Sequence, residues 1–203
     1  MKGLRYMQDV MRNQFYKQRS DFELSAIERD KTQVMPEGVS VQTDIPYMND
    51  GDKAHRMDVY RPEGSEDTTL PVVINIHGGG LLIGSKEFNR FFCAKLSRLG
   101  YLVFSIDYRL VPDCMVFDQF SDVCNAFKYI NAHLGEYNGD SGHIYGVADS
   151  GGAYLLTYTA AMAKNRELAK AAHVKPQKFS FRAIGLISGM FYRSEERRVG
   201  KEC

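Results

Sequence analysis

Ser150 stands between Asp149 and two glycines in the stretch Ala148-Asp149-Ser150-Gly151-Gly152, after an apolar run and before an alanine-rich helical stretch. A hydroxyl flanked by tiny residues on a strand-to-helix turn suits a nucleophile elbow, where the helix N-terminus favours developing negative charge. Ala148 occupies the place usually held by the elbow's first glycine, a mild replacement at a close packing contact. The plainer alternative makes Ser150 a helix cap ahead of Gly151. A second group, His77-Gly78-Gly79-Gly80, follows the run Val72 to Ile76. Consecutive glycines let backbone N–H groups approach a ligand oxygen closely, as an oxyanion hole requires, although a flexible turn would use them too. A dinucleotide site is a rival, because Gly78, Gly80 and Gly84 form a loose glycine pattern and Asp107 ends the next strand. Ile83 holds the place of the third fingerprint glycine, which weakens that rival. The third group, Asp107-Tyr108-Arg109-Leu110-Val111-Pro112, leaves the following apolar run. Its charges are expected to act as an Asp-Arg pair that pins the loop.

These groups need a frame that brings them to one place. VVINI at 72–76, YLVFSI at 101–106, HIYGVA at 143–148 and AIGLIS at 183–188 are nearly continuous apolar runs, which read as central parallel strands covered on both faces. Helical stretches lie between them at about 86–99, 117–134 and 153–172, and Gly100 stands where a C-terminal cap is expected. Such alternation predicts an α/β fold with a mostly parallel central sheet, helices on both faces, and ligands at the carboxyl edge of the strands. Val39, Val41 and Thr43, then Met57 and Val59, alternate with polar residues and predict two half-buried antiparallel strands joined by a turn at Asn49 to Asp52. Leu4, Met7, Met11 and Phe15 share one face of a helix over roughly the first seventeen residues, a face that must dock on something. Helical composition continues from Asp21 to Lys31 and breaks at Pro36 and Gly38. The chain thus divides into a helical segment at 1–37, a sheet domain at 38–192 and a charged tail at 193–203.

With 203 residues and 44% hydrophobic composition, the chain can bury one sizeable core. Its net charge of +1, without a long basic run before the last dozen residues, argues against nucleic acid and for a small-molecule partner. Charges interrupt the first 25 residues too often for a secretory signal or a membrane span, so a cytoplasmic location is expected. Cys93, Cys114, Cys124 and Cys203 form no CxxC pair and no metal-ligand spacing, and are expected to be buried free thiols. Neither a metal nor another cofactor is expected.

The order HGGG, DYRLVP, xDSxG, each at the end of a successive strand, resembles the hormone-sensitive-lipase-like branch of the α/β-hydrolases over residues 39–190. The resemblance implies hydrolysis of short or medium acyl esters, with Ser150 as nucleophile and the N–H groups of Gly79, Gly80 and Gly151 as oxyanion hole. It puts His77, Gly78, Asp149, Tyr108 and Arg109 in supporting positions, His77 shaping the loop rather than acting as base. The N-terminal helices would contribute to a cap over the acyl pocket. A peptidase or amidase of the same fold, or a relative that binds without catalysis, would share these parts.

A serine hydroxyl needs an imidazole to take its proton and an acid to orient that imidazole, in the chain order serine, acid, histidine. Only His173 follows Ser150, and a straight helix of about twenty residues would carry it roughly 30 Å away. His55 in an early strand, and His133 and His143 at the opposite edge, are expected to be surface or packing residues. Glu167 lies on the outgoing helix and Glu195 and Glu196 in the tail, so no acid-histidine pair is evident. Arg193 to Cys203 reads RSEERRVGKEC, which resembles the translation of a common sequencing-library adapter. The expectation is a parent gene cut near Tyr192, whose missing part holds about two further strands with the acid and histidine. The last strand would then keep an unpaired apolar edge, and the chain expressed alone is expected to self-associate. A soluble monomer with robust turnover of p-nitrophenyl acetate would overturn that expectation.

Overall fold

Each apolar run forms a strand. The computed structural model describes residues 2–175 and 180–191, with side chains from residue 9 onward. Six strands form one sheet: β1 Val39–Pro46, β2 Arg56–Pro62, β3 Leu70–Ile76, β4 Leu102–Ile106, β5 Gly139–Asp149 and β6 Ala183–Ile187. Their order is β1-β2-β4-β3-β5-β6. The two alternating segments make antiparallel pairs, β1 with β2 and β2 with β4. The continuous runs pair in parallel, β3 with β4 and β5, and β5 with β6.

Helices α2 Arg90–Arg98, α3 Val116–His133 and α4 Ser150–Met162 cover the sheet as the strand-helix alternation requires, while α1 Lys2–Asp30 docks on loops at the strand ends and α5 Arg166–Ala171 packs beside α4. Phe120 and Phe127 of α3 and Leu155 and Leu156 of α4 bury one sheet face with Val72, Ile74 and Ile76. Cys93 and Ala94 of α2 bury the other face with Tyr60, Val73 and Val103. Gly100 closes α2 at φ +94°, its N–H donating to Ser97 O at 2.8 Å, in the left-handed conformation that favours glycine.

Three expectations change. The helix expected over 153–172 is two, since Asn165 interrupts it and its side chain accepts from Leu168 N at 3.1 Å to cap α5. The AIGLIS run is not covered on both faces: β6 is the sheet edge among the described residues, and Ile184, Leu186 and Ile187 are 38%, 36% and 50% exposed. An apolar run reports what a strand can bury, and the burial itself depends on a neighbour. The N-terminal helix runs unbroken to Asp30 and docks farther along than its apolar stripe suggested. Met11 is exposed, whereas Phe15, Arg19, Phe22, Ala26 and Arg29, at helical spacing, are partly buried. Arg29 lies over the Phe88 ring at 4.4 Å and Phe22 packs beside it at 4.9 Å. The side chains of Leu4 and Met7, and the tail at 193–203, lie outside the described residues. Among the described residues, no helix is long and apolar enough to cross a membrane.

The burial difference between strands is measurable. Ile74→Ala, on fully buried central β3, is expected to destabilise the chain by about 2–5 kcal/mol in urea unfolding. Ile187→Ala on half-exposed β6 should cost less than about 1 kcal/mol.

Candidate active site

Parallel pairing of β3 with β5 sets Ile76 opposite Ala148, so the His77 loop and the Asp149-Ser150 turn leave the sheet side by side. Ser150 is the first residue of α4 and adopts φ +46°, a left-handed conformation that costs a non-glycine residue about 1–2 kcal/mol. Asp149, not Ser150, stands at the N-cap position, and its carboxylate turns to the neighbouring loop instead of the helix. Asp149 Oδ1 accepts from Gly78 N at 3.1 Å and from Asn89 Nδ2 at 2.9 Å. This one carboxylate ties the elbow to the glycine loop.

The glycines make that approach feasible. A Cβ on Gly152 would lie 2.3 Å from Ile76 O and 2.4 Å from His77 O, so α4 begins in direct contact with the end of β3. A Cβ on Gly151 would lie 3.0 Å from Leu81 N and 3.1 Å from Gly80 N, which places the Gly80 and Leu81 amides against the first turn of α4. Gly79 and Gly80 have φ of +111° and +62°. Leu81, also at positive φ, carries no sequence signal for this place, since nothing in its side chain reports an amide facing α4.

His77 supports this loop from below. It is fully buried, its Nδ1–H donates to Gly78 O at 2.8 Å, and its ring stacks on Tyr108 at 4.4 Å and 10°. Tyr108 returns a hydrogen bond from its hydroxyl to His77 O at 2.9 Å, and burial pushes its phenol well above the ordinary range. Asp107 accepts from Lys86 N at 2.6 Å, so the expected Asp-Arg pair is not Asp107 with Arg109. Arg109 forks onto Asp122 of α3, with Nη2 at 2.7 Å and Nε at 2.9 Å, and this hydrogen bonding raises the guanidinium pKa. The loop is pinned as expected, but by a partner on the next helix that sequence spacing does not reveal.

The five histidines are held in other places. Buried His55 precedes β2 rather than lying in it, with Nδ1 at 2.6 Å from Asp50 and Nε2 at 3.1 Å from Asp122. His133 bonds Tyr129 O, His143 pairs with Asp140, and exposed His173 follows α5. With His77 committed to Gly78, none is paired with Ser150. Glu167 is exposed on α5, and Glu195 and Glu196 lie outside the described residues. Cys93 is a buried free thiol as expected, Cys124 is buried, Cys114 is only partly buried, and Cys203 lies outside the described residues. Among the described residues, no group of His, Cys, Asp and Glu has a metal-holding arrangement. An apolar cavity of about 290 Å³ opens beside the glycine loop, lined by Gly80, Leu81, Leu82, Val111, Val116, Tyr154 and Met190.

A family described as BD-FAE matches residues 57–190. The chain is similar to a probable isoprenylcysteine alpha-carbonyl methylesterase of Arabidopsis thaliana, 32% identical over 105 residues, which cover 52% of this chain and 22% of that protein. It is also similar to the probable carboxylic ester hydrolase LipM of Mycobacterium tuberculosis, 31% identical over 123 residues, with 56% and 28% covered. Among solved structures, esterase B from Lactobacillus rhamnosis superposes with a TM-score of 0.84 at 26% identity, covering 89% of this chain and 57% of that one. The esterase of the archaeon Pyrobaculum calidifontis gives a TM-score of 0.62 at 31% identity, covering 75% and 49%. The chain therefore spans about a quarter of the curated relatives and about half of the similar structures.

The contact between α4 and β3 can be tested without reference to activity. Gly152→Ala is expected to destabilise the chain by about 1–3 kcal/mol through overpacking against two carbonyl oxygens. Gly135→Ala, where a Cβ meets nothing within 4 Å, should change urea unfolding by less than about 0.5 kcal/mol.

Proposed function

Because this chain belongs to the BD-FAE family and has the α/β-hydrolase fold, we propose that it carries the nucleophile and oxyanion donors of a serine hydrolase of short or medium carboxylic esters. The observation that carries this reading is Ser150, held at φ +46° on the first turn of α4 with the Gly80 and Leu81 amides beside Gly151. Ser150 Oγ attacks the ester carbonyl carbon, and the carbonyl oxygen becomes an oxyanion stabilised by the N–H groups of Gly79, Gly80 and Gly151. Collapse of that intermediate expels the alcohol and leaves an acyl group on Ser150, which water then removes. His77, Gly78, Asp149, Tyr108 and Arg109 hold the loops and do not touch the ester.

Proton transfer needs an imidazole near Ser150, and none of the five histidines is paired with it. In this reading the acid and the histidine belong to the part of a relative-length protein that the chain does not span. Residues 1–37 act as a cap-like segment against the loops at 82–88 and 111–113, residues 38–192 as the hydrolase domain. The free thiols of Cys93 and Cys114 accord with a cytoplasmic setting.

In a relative-length protein carrying this sequence, Ser150→Ala should lower turnover of p-nitrophenyl butanoate by roughly a thousandfold or more. A fluorophosphonate should attach to Ser150 and to no other residue, as read by peptide mass. Full turnover in the alanine variant would remove Ser150 as nucleophile.

A further inference from the structure

The N-terminal helix reaches the backbone behind the apolar cavity's walls through one side chain that none of the sequence motifs includes. Arg19 of α1 reaches across both walls: its Nε donates to Leu82 O at 3.2 Å and its Nη2 to Val111 O at 3.0 Å. Leu82 and Val111 both line the cavity beside Gly80. The third arm, Nη1, meets Asp113 Oδ2 at 2.8 Å, and Asp113 also accepts from Tyr16 of the same helix. The Arg19 side chain is only 19% exposed. Below the fork the same walls are laced together, with Val111 N donating to Leu81 O at 3.0 Å and Gln119 Nε2 donating to Leu81 O and Arg109 O.

We propose that Arg19 is a specificity-determining residue, fixing the separation of the Leu82 and Val111 walls and so limiting the acyl chain the cavity admits; this rests on the ester-hydrolase reading. The cavity of about 290 Å³ lies at the small end of the roughly 300–1,000 Å³ typical of small-molecule sites, so its wall spacing decides which esters fit. A planar fork with donors at fixed angles holds two carbonyls at a set distance, which a lysine, as a point charge on a flexible stem, cannot do. The helix thereby sets a dimension of the pocket without supplying a residue to its lining. Arg19 positions and does not touch the reacting atoms.

The test uses a relative-length protein carrying this sequence and Ser150→Ala, so that esters bind without turnover, with ethyl butanoate and ethyl octanoate as probes followed by saturation-transfer NMR. With Arg19 present, octanoate should bind no more tightly than butanoate. Adding Arg19→Lys should tighten octanoate by about tenfold, the low end for methylenes admitted to an apolar pocket, and shift butanoate less than twofold. Asp113→Asn leaves both carbonyl contacts in place and should not alter the ratio. An unchanged ratio in Arg19→Lys and Arg19→Ala, or an equal loss for both esters, overturns the proposal, because Arg19 would then serve only to seat α1. A shift in Asp113→Asn as large as in Arg19→Lys also overturns it, assigning the effect to charge rather than to the fork. If neither ester binds while Arg19 is present, the ester-hydrolase reading falls, and the proposal with it.

Discussion

Where α4 begins, its backbone lies so near the end of β3 that a methyl group on residue 152 would meet the carbonyl oxygens of Ile76 and His77. That proximity dictates the surrounding residues. Residue 152 must be glycine, residue 151 can carry no bulk against the Gly80 and Leu81 amides, and Ser150 must take the positive φ that turns the chain sharply into the helix. The sheet order serves the same contact, because β5 must neighbour β3 for the two loops to leave together. Asp149 then fastens the loops, its carboxylate bridging Gly78 N and Asn89.

Charged groups buried behind the loops hold them in place. Lys86, 2% exposed, directs its ammonium to Asp58, Asp44 and Glu87, while its backbone N–H holds Asp107. Desolvation opposes a charged lysine there, yet the Glu87 hydrogen bond and the Asp58 charge outweigh it and raise its pKa. Asp58 is itself pushed up by burial. On the other side Arg109, Asp122, His55 and Asp50 form a second chain of polar contacts, from the loop after β4 to the turn before β2, with the Arg109–Asp122 ion pair at its buried end. Such buried pairs add little net stability against apolar residues of the same shape, but breaking one leaves an uncompensated charge, so each enforces a single loop arrangement.

The sequence discloses its backbone-level features more readily than its side-chain partners. VVINI, YLVFSI and HIYGVA announce buried parallel strands because continuous apolar runs have no other economical use, and the two alternating segments announce antiparallel ones. HGGG and ADSGG are legible because only small residues permit such close backbone contact. Arg109 finding Asp122, Asn89 finding Asp149 and Arg19 finding two carbonyls are tertiary pairings between elements distant in the chain, with no spacing rule to betray them. The break at Asn165 and the exposure of β6 escape for a related reason: composition gives capacity for helix or burial, and context decides its use.

The central position of β3 also governs the order in which the molecule can assemble. β4 follows it after one short helix, but β5 arrives only after α3, so the β3-β5 pairing closes a longer stretch of chain, at a higher entropic cost, than the β3-β4 pairing. Before that closure Gly78, Gly79 and Gly80 have neither Asp149 nor the start of α4 to shape them. Ser150 and the glycine-loop amides, far apart in the chain, are therefore neighbours only once β3 and β5 have paired.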